Sequence, residues 1–151
     1  MKSIRILRLE CCSIVFAFCA LGTNGQVKEC KEAEQKEVIL TNSKDWKTFY
    51  REFKRLGHCD DGAMAENFSE NVVTLIAKDW KHIGDLGGII ASDGIFRRFV
   101  LKHIDATANP DDLKIIISNS RGRCPETERQ LCISIESEAK AALKEQASFS
   151  R

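Results

Sequence analysis

The densest group of side chains that could do chemistry is His58-Cys59-Asp60-Asp61-Gly62. A carboxylate beside a histidine can orient the ring as a general base, and paired aspartates can bind a cation. The same residues also suit a structural role, because an aspartate caps a helix, its partner favours the positive end of the helix, and the cysteine fixes the turn. We favour capping and stapling, and keep His58, Asp60 and Asp61 as catalytic candidates.

A second group is Lys102-His103-Ile104-Asp105, in which His103 continues the apolar helical face of Phe96 and Phe99. A histidine on such a face is typical of a buried, hydrogen-bonded core residue. An enzyme would instead require His103 and Asp105 to converge with the first group to within about 10 Å, because acid–base catalysis needs hydrogen-bond reach.

Other motifs are incomplete. Gly84, Gly87 and Gly88 are not followed by the Gly-Lys-Ser/Thr of a phosphate-binding loop, so we predict a connection between helices there. Ser69 and Ser92 lack the flanking glycines of a nucleophile elbow. Cysteine and histidine spacings do not match a zinc site, and we expect neither a metal nor a cofactor.

The N-terminal segment has the features of a secretory signal peptide: Lys2, Arg5 and Arg8, then a largely apolar stretch over 11–21. This stretch is too short to span a bilayer, which needs roughly twenty residues. Small residues allow cleavage after Gly22 or Gly25. We therefore expect a periplasmic or secreted product without a transmembrane segment.

Composition supports one globular domain, since the 151 residues are 43% hydrophobic and 30% charged. The leader removes three of the 23 basic and one of the 22 acidic residues, which leaves a net charge of −1. A near-neutral domain has no electrostatic reason to bind nucleic acid.

The mature chain keeps four cysteines, and an even number in an exported chain indicates two disulfides. The sequence does not choose among the three pairings that four cysteines allow. A helix capped by Thr127, with Gln130 in the capping-box position, would let the preceding turn bring Cys124 back to Cys132. We therefore favour Cys124–Cys132 with Cys30–Cys59.

Apolar residues recur at steps of three and four along five segments, which predicts five helices. Their start signals are Asn42-Ser43, Asp60-Asp61, Ser92-Asp93, Asn109-Pro110 and Thr127. The expected layout is a signal peptide (1–25), an N-terminal arm (26–41), an all-α helical domain (42–145) and a frayed tail (146–151).

The motifs His58–Ala63 and Phe99–Asp105, with Arg123-Cys124-Pro125 and Leu131-Cys132, resemble small exported helical proteins of Gram-negative bacteria over residues 42–135. The resemblance implies a periplasmic or secreted protein and supplies no activity. In architecture alone the chain is similar to the helical, disulfide-bonded immunity proteins that block type VI secretion amidases.

The sequence thus favours a non-enzymatic periplasmic binding protein of inhibitor or immunity type, with an unknown periplasmic protein as partner. The alternative is a small hydrolase or metal-dependent enzyme that uses His58, Asp60 and Asp61 with His103 and Asp105.

Overall fold

The computed structural model of the chain describes residues 30–31 and 43–149. The predicted signal peptide, its cleavage sites and most of the predicted arm lie outside these residues. Between residues 43 and 149 the chain forms six α-helices and no strand, which confirms the all-α prediction. The helices are α1 (Trp46–Leu56), α2 (Gly62–Lys78), α3 (Ile83–Ser92), α4 (Gly94–Lys102), α5 (Pro110–Gly122) and α6 (Arg129–Phe149).

Side-chain caps fix the start of four helices. Asp61, Asp93 and Asn109 cap α2, α4 and α5, which confirms the predicted start signals. Helix α1 begins later than predicted, because Asp45 rather than Ser43 accepts a hydrogen bond from the Thr48 amide, at 2.8 Å. Each cap satisfies an amide that has no partner inside the helix.

Helix α3 overturns the prediction that Gly84, Gly87 and Gly88 form a connection. Packing overrides the low helix propensity of glycine here, because Ile83 and Leu86 are fully buried on the inner face. Gly87 is itself buried, and a Cβ atom there would collide with the carboxylate of Glu128. Its missing side chain therefore allows the turn before α6 to pack closely on α3.

The prediction that Thr127 caps the last helix is wrong, because α6 begins at Arg129, after a 3₁₀ turn over Glu126–Glu128 that contains Thr127. The C-terminal end of α6 passes Gln146, where the sequence predicts a frayed tail, and continues to Phe149. The Gln146 amide donates to the carbonyls of Ala106 and Ala108, at 2.9 and 2.7 Å.

An aromatic cluster from three helices forms the centre of the core. Phe49 of α1 is fully buried, and its ring centroid lies 6.1 to 6.4 Å from those of Trp46, Phe68, Phe96 and Phe99. Such edge-to-face and tilted pairs add to the stabilisation from burial itself.

Two disulfides join the helices at their turns, as predicted. Cys124–Cys132 closes the turn between α5 and α6, and these two helices then pack along each other. Cys30–Cys59 attaches residues 30–31 to the turn between α1 and α2. Within the described residues, no helix combines the length and hydrophobicity needed to cross a bilayer.

Candidate functional site

The two polar groups of the sequence meet inside the protein. Nε2 of His103 lies 3.1 Å from Oδ1 of Asp60, although these residues are 43 positions apart. On the other side of the ring, Nδ1 lies 2.9 Å from the hydroxyl of Ser69. That hydroxyl is 2.8 Å from Oδ2 of Asp105. We call Asp60, His103, Ser69 and Asp105 the polar chain.

The polar chain is held by α2 and by the segments that flank α2 and α4. Asp60 lies in the turn before α2, Ser69 lies on α2, His103 follows the last residue of α4, and Asp105 lies in the α4–α5 loop. His103 ends α4 by donating its backbone amide to the Phe99 carbonyl.

The outer ends of the polar chain are fixed by further hydrogen bonds. Oδ2 of Asp60 accepts from the Lys102 ammonium at 2.6 Å. Oδ1 of Asp105 accepts from the backbone amide and the hydroxyl of Thr107, at 2.8 and 2.6 Å. Both carboxylates are therefore held in place from outside the core.

Burial dominates the electrostatics of the histidine. It lowers the pKa of His103, although the carboxylates of Asp60 and Asp105 act in the opposite direction. Burial also acts to raise the pKa of Asp105, but hydrogen bonds from Thr107 and Ser69 outweigh it and leave that pKa below its ordinary value.

The other two catalytic candidates, Asp61 and His58, lie in the turn between α1 and α2 but outside the polar chain. Asp61 caps α2 by accepting from the Gly62 amide at 2.8 Å. His58 is exposed, and its ring lies within 4.8 Å of the sulfurs of Cys30 and Cys59. This is the one group in the described chain dense enough in ligand atoms for a metal ion, and both of its sulfurs are bonded to each other.

Ser69 is the member of the polar chain that sequence reasoning missed, because it was considered only as a nucleophile. A signal was present: Ser69 lies four residues after Ala65 and three before Val72, which places it on the same helical face as these apolar residues. A small polar residue in that position must find a hydrogen-bond partner in the core.

The polar chain combines a hydroxyl, an imidazole and two carboxylates, which are the groups of acyl-transfer enzymes. Unlike the catalytic groups of such enzymes, the hydroxyl and the imidazole are shielded from solvent, since Ser69 is 4% and His103 is 2% exposed. A substrate must come within hydrogen-bond distance of a catalytic group, and here the aromatic rings of Phe68 and Phe99 cover the imidazole.

An open groove lies elsewhere, between α1 and the start of α3, with a volume of about 730 Å³. Lys47 and Arg51 line its α1 wall, and His82 and Asp85 line the opposite wall. Tyr50 and Ile89 add partly buried apolar surface. A contact of hydrogen-bond length, 2.7 Å between Nδ1 of His82 and Oδ2 of Asp79, belongs to the second wall.

Comparison with protein-family models, with curated proteins and with solved structures finds no match to this chain.

Proposed function

We propose that the chain is an exported, non-enzymatic binding protein that contacts its protein partner through the groove between α1 and α3. The observation that carries this proposal is the separation of two features. The imidazole and the hydroxyl of the polar chain are buried, whereas the open groove combines charges of both signs with aromatic and aliphatic surface. That composition is suited to a polypeptide partner.

Two observations support export. The first residues have the basic start and apolar stretch of a signal peptide, and both disulfides join cysteines outside that stretch. Disulfides persist in oxidising compartments and are rare in the cytosol.

Export is tested by expressing the full chain in a Gram-negative host and sequencing the N-terminus of the periplasmic fraction. We expect a mature chain that begins at Thr23 or Gln26 and has no free thiol. Intact protein in the cytosol with four reactive mature cysteines would contradict export.

Binding is tested with a photo-crosslinking amino acid at position 51 in the groove, and a matched probe at Lys144 on α6. The purified oxidised protein is exposed to periplasmic extract. We expect one reproducible adduct from position 51 and none from 144, and its loss when Lys47→Glu is added. Repeated absence of any adduct, with no partner in a parallel pull-down, would overturn the proposal.

A second candidate is the small hydrolase, favoured by the 3.1 Å approach of Asp60 to His103. It requires the turn at residues 57–61 to open, so that substrate reaches the imidazole. Hydrolysis of a chromogenic ester that is lost in His103→Gln and kept in His82→Gln would support it. Equal background rates in all three proteins would exclude ester hydrolysis by this chain.

A further inference from the structure

The polar chain has three internal contacts, each of hydrogen-bond length. They join Asp60 to His103, His103 to Ser69, and Ser69 to Asp105, at 3.1, 2.9 and 2.8 Å. Each contact needs one hydrogen between its two heavy atoms. The carboxylates supply none when they are ionised, and a serine hydroxyl supplies one.

A neutral imidazole supplies only one more hydrogen, so the chain is then one short. With the hydrogen on Nδ1, the ring donates to Ser69 and Ser69 donates to Asp105, but the lone pair of Nε2 faces Asp60. With the hydrogen on Nε2, the contact to Asp60 is made, and Ser69 then leaves either Nδ1 or Asp105 without a hydrogen.

An imidazolium supplies two hydrogens and completes all three contacts. Among the described residues, Nε2 of His103 and Oδ1 of Asp60 are buried and lack a hydrogen bond of good angular geometry, although they lie close together. Protonation of His103 therefore supplies a hydrogen to the contact with Asp60 and turns that contact into a hydrogen bond.

We propose that the polar chain is a buried proton-binding site that works as a latch, in which protonation of His103 completes the hydrogen bond to Asp60 and tightens the turn on the end of α4. The latch joins segments distant in sequence, because Asp60 belongs to the turn fixed by Cys30–Cys59 and Asp105 belongs to the loop before α5.

The charged groups that act on the imidazole come from each surrounding segment: Asp60 from the turn, Lys102 from the end of α4 and Asp105 from the following loop. The two carboxylates favour the imidazolium, whereas burial and Lys102 oppose it. Because burial lowers the pKa of His103, the neutral ring is the form populated at neutral pH, and mild acid supplies the hydrogen that the latch lacks.

Two measurements on the oxidised protein follow the latch. Nitrogen NMR of the His103 ring reports the protonation state, and hydrogen exchange reports the Asp61 amide, which donates to the Cys59 carbonyl within the turn. Between about pH 8 and pH 5 we expect the ring to become an imidazolium, with most of the change below the ordinary histidine pKa of about 6.5, because burial lowers the pKa of His103. Exchange at Asp61, corrected for its intrinsic pH dependence, should slow roughly fivefold, the factor for one added hydrogen bond.

Asp60→Asn tests the hydrogen count directly. The asparagine amide supplies the missing hydrogen to a neutral Nε2, and its oxygen still accepts from Lys102. We expect Asp61 to be protected already at neutral pH, with no further change on acidification, and His103 to stay neutral. The matched control is Asp61→Asn in the same turn but outside the polar chain, which should titrate like the natural protein.

Ser69→Ala provides a second test if Asp60→Asn does not fold. Without the hydroxyl, a neutral ring donates from Nε2 to Asp60, so protection in the turn should again lose its pH dependence. A ring in the natural protein that stays neutral, or stays protonated, over the whole range would overturn the latch. So would identical behaviour of Asp60→Asn and Asp61→Asn.

Discussion

His103 sets the pH dependence of stability at the scale of a single residue. Its pKa is lower in the folded protein than in the unfolded chain, because burial disfavours the imidazolium. Between the ordinary pKa of about 6.5 and the lower folded value, the unfolded chain binds the proton and the folded protein does not. Stability is therefore fully present above about pH 6.5 and decreases as the pH falls through that window.

We expect urea midpoints measured from pH 7.5 downward to fall in that window, and the fall to be smaller in His103→Gln. His82→Gln is the control, since His82 is exposed. A natural protein that gains stability on mild acidification would show that the carboxylates outweigh burial.

Phe49 is a fully buried residue at the centre of the aromatic core. Its ring is in contact range of four others. We expect Phe49→Ala to lower the free energy of unfolding by about 3–5 kcal/mol, through lost burial and the cavity left behind. Phe149→Ala, at a site 82% exposed, should change it by less than about 0.5 kcal/mol. Urea unfolding of both variants makes the comparison, and equal losses would contradict this view of the core.

Helix caps can be predicted from the sequence, whereas contacts between distant residues cannot. The caps Asp93 and Asn109 were predicted because a cap acts on amides two or three residues away, and Asn109 indeed accepts from Asp111 at 2.8 Å. The meeting of Asp60 with His103 was posed only as a condition for catalysis, because it depends on how α2 and α4 pack rather than on neighbouring residues.

At the scale of the element, α3 is the helix whose existence the sequence did not predict. Its glycines carry no apolar periodicity, so the pattern that identifies a helix is weak there. Helix α3 is stabilised by residues distant in the sequence that pack on it, among them Glu128 in the turn before α6.

The glycines of α3 should respond differently to the same substitution. Gly88→Ala places a methyl group where no atom lies within 4 Å, so we expect a gain of about 0.5–1 kcal/mol from helix propensity. Gly87→Ala has the same gain in propensity but must displace Glu128, so its net effect should be smaller. Thermal unfolding of the pair checks the order, and a more stable Gly87→Ala would refute the close approach.

At the scale of the whole molecule, the two disulfides restrict the unfolded chain to different degrees. Cys30 and Cys59 are 29 residues apart, whereas Cys124 and Cys132 are eight apart. Loop entropy predicts that the longer ring stabilises by about 1 kcal/mol more. We expect Cys30→Ser/Cys59→Ser to be the less stable double variant by this amount in urea unfolding, and the reverse order would point to stabilisation within the folded state.

The all-α class was predictable because it follows from periodicity and capping. The cysteine count predicted two disulfides but left three pairings open, and the structure has the pairing that we favoured. The groove was not predictable, since its two walls come from α1 and α3 and their distance is a result of packing.

The Gln146 side chain has a practical consequence for anyone handling this protein. Its amide bridges two carbonyls of the loop that carries Asp105, so the last turn of α6 acts as a clamp on the far end of the polar chain. A purification tag fused directly after residue 145 would remove that clamp and loosen the loop. Joining the tag beyond Phe149 leaves it in place.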